Sequence, residues 1–213
     1  MAKPTSGGAG GSGGRQRAAP IVYRDLNGDT PAIKSFIQGE WARQKAGINA
    51  AIQKEIGQYQ IDSWINDALR KPERAIARYT KARIDKQLAA LDSAVNPLTD
   101  NIVTYRGTDV PGIAALVAAN GVQSMVGKRI DDKAFISTSL DRVEAFNHVI
   151  GLSPDATLLR IRAPKGTKGI FANPNGRNGT EREFILDRNS SLRIVAIDQK
   201  GSFYEIEAEV VQG

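Results

Sequence analysis

A chain of 213 residues with no cysteine and one histidine excludes a disulfide framework and thiolate metal sites, and leaves histidine-based zinc or triad chemistry without its side chains, so no metal is expected. Hydrophobic residues make up 41% of it, enough for one domain with its own core, and the excess of Lys and Arg gives a net charge of +6. That charge suits a phosphate-bearing ligand, a polyanion or an acidic protein surface, with a solvated basic surface as the plainer alternative, and no apolar run approaches the ~20 residues that span a bilayer.

Residues 1–20 are rich in Gly and Ser, carry only basic charge and hold almost nothing to bury. They are expected to form a flexible tail or linker ahead of a single domain over 21–213. They also lack the apolar core of a secretory signal, so the chain is expected to be soluble and cytoplasmic as made, with no membrane partner. From Thr30 the pattern is helical, with Thr30 as N-cap, Pro31 at the first helical position and Ile33, Ile37 and Trp41 at intervals of four. A second predicted helix carries Ile61, Trp64, Ile65, Ala68 and Leu69 on one face and stops around Pro72. A third runs to about Ala94 and buries Ile84, Leu88 and Leu91. Trp41 and Trp64 read as core. Arg70, Arg74, Arg78 and Lys81 make a basic stripe, read as a solvated face ahead of a binding surface.

After Pro97 the texture changes to short strand-like runs separated by Gly, Pro, Asn and Asp, with two short helical stretches inserted. The predicted strands are Ile102–Arg106, Phe135–Ser139, Thr157–Arg162, Gly169–Ala172, Glu183–Asp187, Leu192–Ile197 and Phe203–Val211. In the last, Tyr204, Ile206, Ala208 and Val210 alternate with Glu205, Glu207 and Glu209, the pattern of a strand with one wet face. Helices first and strands after argue for an α+β domain, a helical part over 21–97 and a β-rich part over 98–213. His148, among Phe146, Val149 and Ile150, has no obvious carboxylate partner and reads as a packed or half-exposed helix residue.

Three segments carry candidate chemistry: "TYRG" with Arg106, "FISTS" with Ser137, Thr138 and Ser139, and "EREF" with Glu181 and Glu183. Each alone has an ordinary reading. An arginine at a strand end is usually a surface residue, Ser139 can cap the stretch from Leu140, and Glu-x-Glu is usually a polar strand face. On an extended chain Glu181 and Glu183 share one side and Arg182 the other, which crowds two like charges unless something cationic sits opposite.

Taken together and in this order, these segments resemble the arginine-serine-glutamate class of mono-ADP-ribosyltransferases, found among bacterial toxins and phage enzymes. "INDALR" at Ile65–Arg70, "IVTYRG" and "LLRIRAPKGTKGIF" add to the likeness, which covers about Ile61 to Val211. The resemblance implies a mixed, mainly antiparallel two-sheet β core behind N-terminal helices, with NAD+ as substrate and an arginine on a target protein as acceptor. It implies that Glu183 stabilises the cationic ribosyl centre and binds the ribose, as carboxylates do in glycoside hydrolysis. Arg106 then grips the NAD+ phosphates, Ser137 orients Glu183 and lines the ribose pocket, and Gly107 lets the backbone approach the nicotinamide amide. Thr138 joins Ser137 at the cofactor site while Thr138 and Ser139 brace the strand. Glu181, the first glutamate of the pair, goes with arginine as acceptor and helps the guanidinium lose its proton.

The segment Pro164 to Thr180 is expected to be a mobile lid, with Phe171 or Arg177 as candidate NAD+ contacts, against the reading of a turn-rich surface loop with no ligand contact. The competing readings are an NAD+ glycohydrolase, in which water replaces the acceptor, and a non-catalytic binding module whose basic face docks on nucleic acid or a phage or host component. Nucleic acid has no supporting motif. The chain is expected to work as a monomer, delivered by a secretion system or a phage particle.

Overall fold

The computed structural model describes residues 20–62, 64–75, 79–108, 122–148, 156–175 and 179–211. The expected tail, and Arg78 and Arg177 with it, lie outside the described residues. The helical part comes first. Helix α1 spans Thr30–Lys45 and buries Ile33, Ile37 and Trp41. Its N-cap is Asp29, one residue before the expected Thr30, because the Asp29 carboxylate accepts from Ala32 N at 2.9 Å.

The second expected helix is two helices, α2 at Ala50–Ile61 and α3 at Trp64–Arg70. Asp62 breaks the run: it takes an extended conformation, and its carboxylate accepts from Trp64 N at 3.1 Å to start α3 afresh. The break separates Ile61, which is exposed, from Trp64, Ile65 and Ala68, which are buried. A short α4, Pro72–Ala75, leads to α5, Lys81–Ala94, capped by Thr80. Of its three expected core positions Leu91 is fully buried, and Ile84 and Leu88 pack at the edge of the same cluster.

The β part is β1 (Asn96–Pro97), β2 (Ile102–Thr108), β3 (Arg129–Asp131), β4 (Ile136–Ser139), helix α6 (Arg142–Asn147), β5 (Thr157–Ala163), β6 (Lys168–Phe171), β7 (Glu183–Leu186), β8 (Ser191–Lys200) and β9 (Phe203–Val211). The strands join in the order β1-β6-β7-β4-β2-β5-β9-β8-β3, antiparallel throughout except β5 beside β9. All seven expected strands are present. The two unexpected ones, β1 and β3, are two and three residues long, too short to show an alternation.

One face of the sheet encloses the main core, where Phe171, Phe184, Leu159, Ile161, Ile194 and Ile206 meet Ile33 and Ile37 of α1. The other face of β4, β6 and β7 receives the helices: Phe135, Ile170 and Ile185 pack against Ile56, Tyr59, Ile65 and Leu91. Phe171 lies wholly in the main core against Phe36 and Phe184, which removes it from the candidate NAD+ contacts. The expected lid therefore contains an ordinary core strand, β6.

The expected wet face of β9 is instead an ion-pair surface. Glu207 takes Arg160 and Arg162 of β5, Glu209 takes Arg193 and the Tyr23 hydroxyl, and Glu205 takes Arg142. The parallel register puts Arg160 beside Glu207 and Arg162 beside Glu209, so opposite charges meet strand to strand. The residues ahead of α1 cross this surface, with Asp25 accepting from Tyr105 and from Arg160.

Candidate active site

Strands β2 and β4 share one register pair, Tyr105 with Ser139. That pair joins all the strands into one nine-stranded sheet, where two sheets were expected. Arg106 bridges the same two strands, donating from Nη1 to the Ser137 carbonyl at 2.8 Å. A cleft of about 330 Å³ lies there, walled by β2, β4, α2 and the turn before β7. Arg106, Gly107, Ser137, Glu181 and Glu183 all line it, so the sequence-derived set converges on one place.

Glu183 opens β7 and is only 7% exposed. Its Oε2 is buried without a hydrogen-bond partner. Burial pushes this carboxyl up to about 7; the Ser137 hydroxyl and the Gln60 amide held against it favour the charged form, as does Arg106, while Glu181 opposes it. One of the two Glu183 oxygens is thus left without a donor. Among the described residues no carboxylate pairs with Arg106, and burial opposes its charge, leaving a cation fixed at the back of the cleft and fit to accept a phosphate oxyanion.

Glu181 reaches the cleft by a different backbone from the extended one expected. It sits in a 3-10 turn, Gly179–Glu181, and Arg182 has a φ of +52° before the strand begins. The left-handed residue turns both carboxylates inward and sends Arg182 out to pair with Asp141. Ser139 holds this turn, donating from Oγ to the Glu181 carbonyl at 2.7 Å. Thr138 borders the cleft, but its hydroxyl donates to the Phe184 carbonyl at 2.6 Å and braces β4 to β7. Glu181 is half-buried and its pKa is raised by burial, with His148 opposing and Glu144 adding to the shift.

A family model described as ADP-ribosyltransferase exoenzyme matches residues 38–212. The chain belongs to the ADP-ribosyltransferase exoenzyme family. The fold is shared with the ADP-ribosyltransferase toxin Plx2a from Paenibacillus larvae, at 23% identity and a TM-score of 0.74 over 88% of this chain and 99% of that one. It is shared equally with the C3 exoenzyme of Clostridium limosum, at 18% identity and a TM-score of 0.73 over 90% and 98% of the two chains. A curated relative from Enterococcus faecalis, named NAD(+)--arginine ADP-ribosyltransferase EFV, is 30% identical over 112 residues, 51% of this chain. The chain spans about a fifth of that relative's length, 21%.

Within this exoenzyme fold several cleft residues escape a reading by motif. Tyr59 and Gln60 come from α2, far from the "TYRG", "FISTS" and "EREF" segments, and Asn66 comes from the "INDALR" segment of α3, to which the likeness gave no role at the site. Tyr59 shows in sequence only as one more aromatic at helical spacing. Arg70, read as part of a solvated stripe, lines the cleft and grips Asp132. The stripe runs past the end of α3, and Arg70 and Lys81 belong to different helices, so their spacing of one face does not hold. His148 caps the end of α6, exposed at the cleft edge beside Glu181 and not packed.

Proposed function

We propose that the chain is an NAD+-dependent mono-ADP-ribosyltransferase that modifies arginine on a protein target. An ADP-ribosyltransferase draws its ADP-ribose from NAD+, so NAD+ is the substrate to fit to the cleft. The observation that carries the reading is a buried Glu183, one carboxylate oxygen of which has no hydrogen-bond partner, facing the half-buried guanidinium of Arg106 in one cleft, with a second carboxylate, Glu181, lining it.

Arg106, joined by Arg70, holds the diphosphate, and the backbone at Gly107 receives the nicotinamide amide. The ribose lies against Ser137 and Glu183. The bond from nicotinamide nitrogen to the ribose carbon breaks with its electron pair on nicotinamide, and the ribosyl cation that develops is stabilised by the Glu183 carboxylate. Beside a carboxylate this buried that charge interaction is stronger than in water. A guanidinium nitrogen of the acceptor then forms the new bond to the same carbon, and Glu181 takes the proton the acceptor must lose. Half-burial and a raised pKa suit Glu181 to that role better than a fully solvated carboxylate would.

Both the name of the curated relative and the Glu181–Glu183 pair support arginine as acceptor. The exoenzyme family supports an effector role in a target cell. The test is nicotinamide release from NAD+ by the purified chain, with and without agmatine, alongside Glu183→Ala. Acceptor-stimulated release that vanishes in the variant is the expected result; release that ignores agmatine makes the chain a glycohydrolase, and none at all leaves a binding module.

A further inference from the structure

The residues assigned so far leave unexplained a buried polar chain behind them. Phe135 N donates to Asn66 Oδ1 at 3.1 Å, Asn66 Nδ2 lies 2.9 Å from the Tyr59 hydroxyl, and that hydroxyl lies 3.0 Å from Ser137 Oγ. Asn66 and Tyr59 are 6% and 2% exposed, so water does not compete for these bonds. If packing against Phe135 were all that mattered, a leucine and a phenylalanine would fill these positions without the cost of burying polar groups.

We infer that Asn66 and Tyr59 are positioning residues that fix the direction of the Ser137 hydroxyl, aiming its hydrogen at Glu183; the inference rests on the catalytic reading of Glu183. The direction follows link by link. A backbone N–H can only donate, so the atom of Asn66 facing Phe135 N is its oxygen, and the amide orientation is settled. The Asn66 nitrogen then faces Tyr59 and, as an NH2 group, can only donate. The Tyr59 oxygen accepts that bond, and its own hydrogen goes to the other neighbour, Ser137 Oγ. Ser137 Oγ in turn accepts, and its single hydrogen points away from Tyr59, where the Glu183 carboxylate waits. Reversing any link would present a serine lone pair to a carboxylate. Burial and the nearby Glu183 charge raise the Tyr59 pKa, so the phenol keeps the proton the chain requires.

Other groups also act on Glu183: Glu181 from the preceding turn, Arg106 from β2 and Gln60 from α2, with His148 and Glu144 of the α6 segment acting on Glu181. None of them belongs to the chain, so a change in the chain can be separated from them. Asn66→Asp keeps the size and reverses the direction. The new carboxylate accepts from both Phe135 N and the Tyr59 hydroxyl, Tyr59 stops donating to Ser137, and Ser137 turns its hydrogen toward Tyr59.

The measurement is the pH dependence of nicotinamide release from NAD+, with thermal melts to establish folding. In Asn66→Asp the acid limb moves up by roughly one unit, so release near pH 6.5 falls about tenfold and recovers as the pH rises. In a Ser137→Ala background the same substitution moves the limb far less, because no hydroxyl remains to reverse. Tyr59→Phe keeps the ring in place and shifts the limb in the same direction by a smaller amount. An unmoved limb in folded Asn66→Asp or folded Tyr59→Phe overturns the inference. A shift of equal size with and without Ser137 also overturns it, since a bare added charge would do that. Failure of the catalytic reading shows separately, as nicotinamide release that survives Glu183→Gln.

Discussion

Arg70 and Asp132 form a two-pronged ion pair at the cleft, with Nε donating to Oδ1 at 3.1 Å and Nη2 to Oδ2 at 2.6 Å. Asp132 is itself held, accepting from Ala134 N at 2.9 Å. The pair occupies one edge of the planar guanidinium and leaves Nη1 for a ligand. It also offsets the repulsion between Arg70 and Arg106, which would otherwise push two converging cations apart. Asp132→Asn is expected to raise KM for NAD+ by about threefold to tenfold, or ~0.7–1.4 kcal/mol, with kcat nearly unchanged. Steady-state kinetics decide it. A lower KM would mean that Asp132 competes with NAD+ for the guanidinium and does not present it.

Glu181 and Glu183 are given separate tasks, and their separation is measurable. Glu181→Gln keeps the turn's shape but cannot take a proton. Transfer to agmatine should fall on the order of 10²-fold while nicotinamide release to water changes little, because proton transfer to a positioned base contributes about that much. Chromatography of ADP-ribosyl-agmatine against free ADP-ribose separates the two products. An equal fall in both would make Glu181 part of the scaffold for Glu183.

The longer strands and the three candidate segments were legible because each signal is local: short apolar runs bounded by Gly, Pro, Asn and Asp mark the strands, with "TYRG" and "FISTS" at β2 and β4 and "EREF" entering β7 through the turn that carries Glu181. Glu183 and Ser137 come together because β4 and β7 are antiparallel with Ser139 beside Glu183, a register that no local pattern announces. What could not be read came from contacts distant in sequence. Tyr59 meets Ser137 across 78 residues and Arg70 meets Asp132 across 62, so helix periodicity assigns both to roles on their own helices and neither to the cleft. The Glu181 backbone departs from the expected extended form for a different reason. Arg182 takes a left-handed conformation that a non-glycine residue rarely adopts, and only the surrounding turn, with Ser139 and Asp141 as partners, holds it there.

Gly169 of β6 ties the core to the site. A Cβ at this position would lie 2.4 Å from Cζ of Phe184 and 2.6 Å from the Ile185 carbonyl oxygen. Phe184 follows Glu183 on β7 and pairs with Phe171 across β6 and β7. Gly169→Ala therefore forces the Phe184 ring and the β7 backbone to move together, at a cost of about 1–3 kcal/mol. Chemical denaturation should show that loss, and nicotinamide release should fall with it, since β7 carries the carboxylate. A stable variant with full activity would mean that β6 shifts outward freely and that β7 is not held by it.

Activity should track ionisation of Glu183. Only the carboxylate stabilises a ribosyl cation, and burial holds this group near pKa 7, so kcat/KM for NAD+ should rise with pH along an acid limb centred near 7. A pH profile of nicotinamide release in the absence of acceptor gives the limb directly. A limb near the ordinary carboxylate value would mean that the cleft admits enough water to solvate Glu183.

The same burial sets stability against activity. The Glu183 carboxyl titrates near 4.5 when unburied and near 7 in the fold, so between those values the native state binds more protons than the unfolded state. Stability contributed by the neutral acid is present below about 4.5 and is lost as pH rises through about 7. The shift corresponds to roughly 3 kcal/mol of penalty on the charged form. Glu183→Gln removes the charge and keeps the size, so it should melt several degrees above the wild type near pH 8 while losing nicotinamide release. Near pH 4 the two should melt together, because both are then neutral. A stabilisation that persists unchanged at acid pH would trace to new hydrogen bonds of the amide, with no contribution from a buried charge.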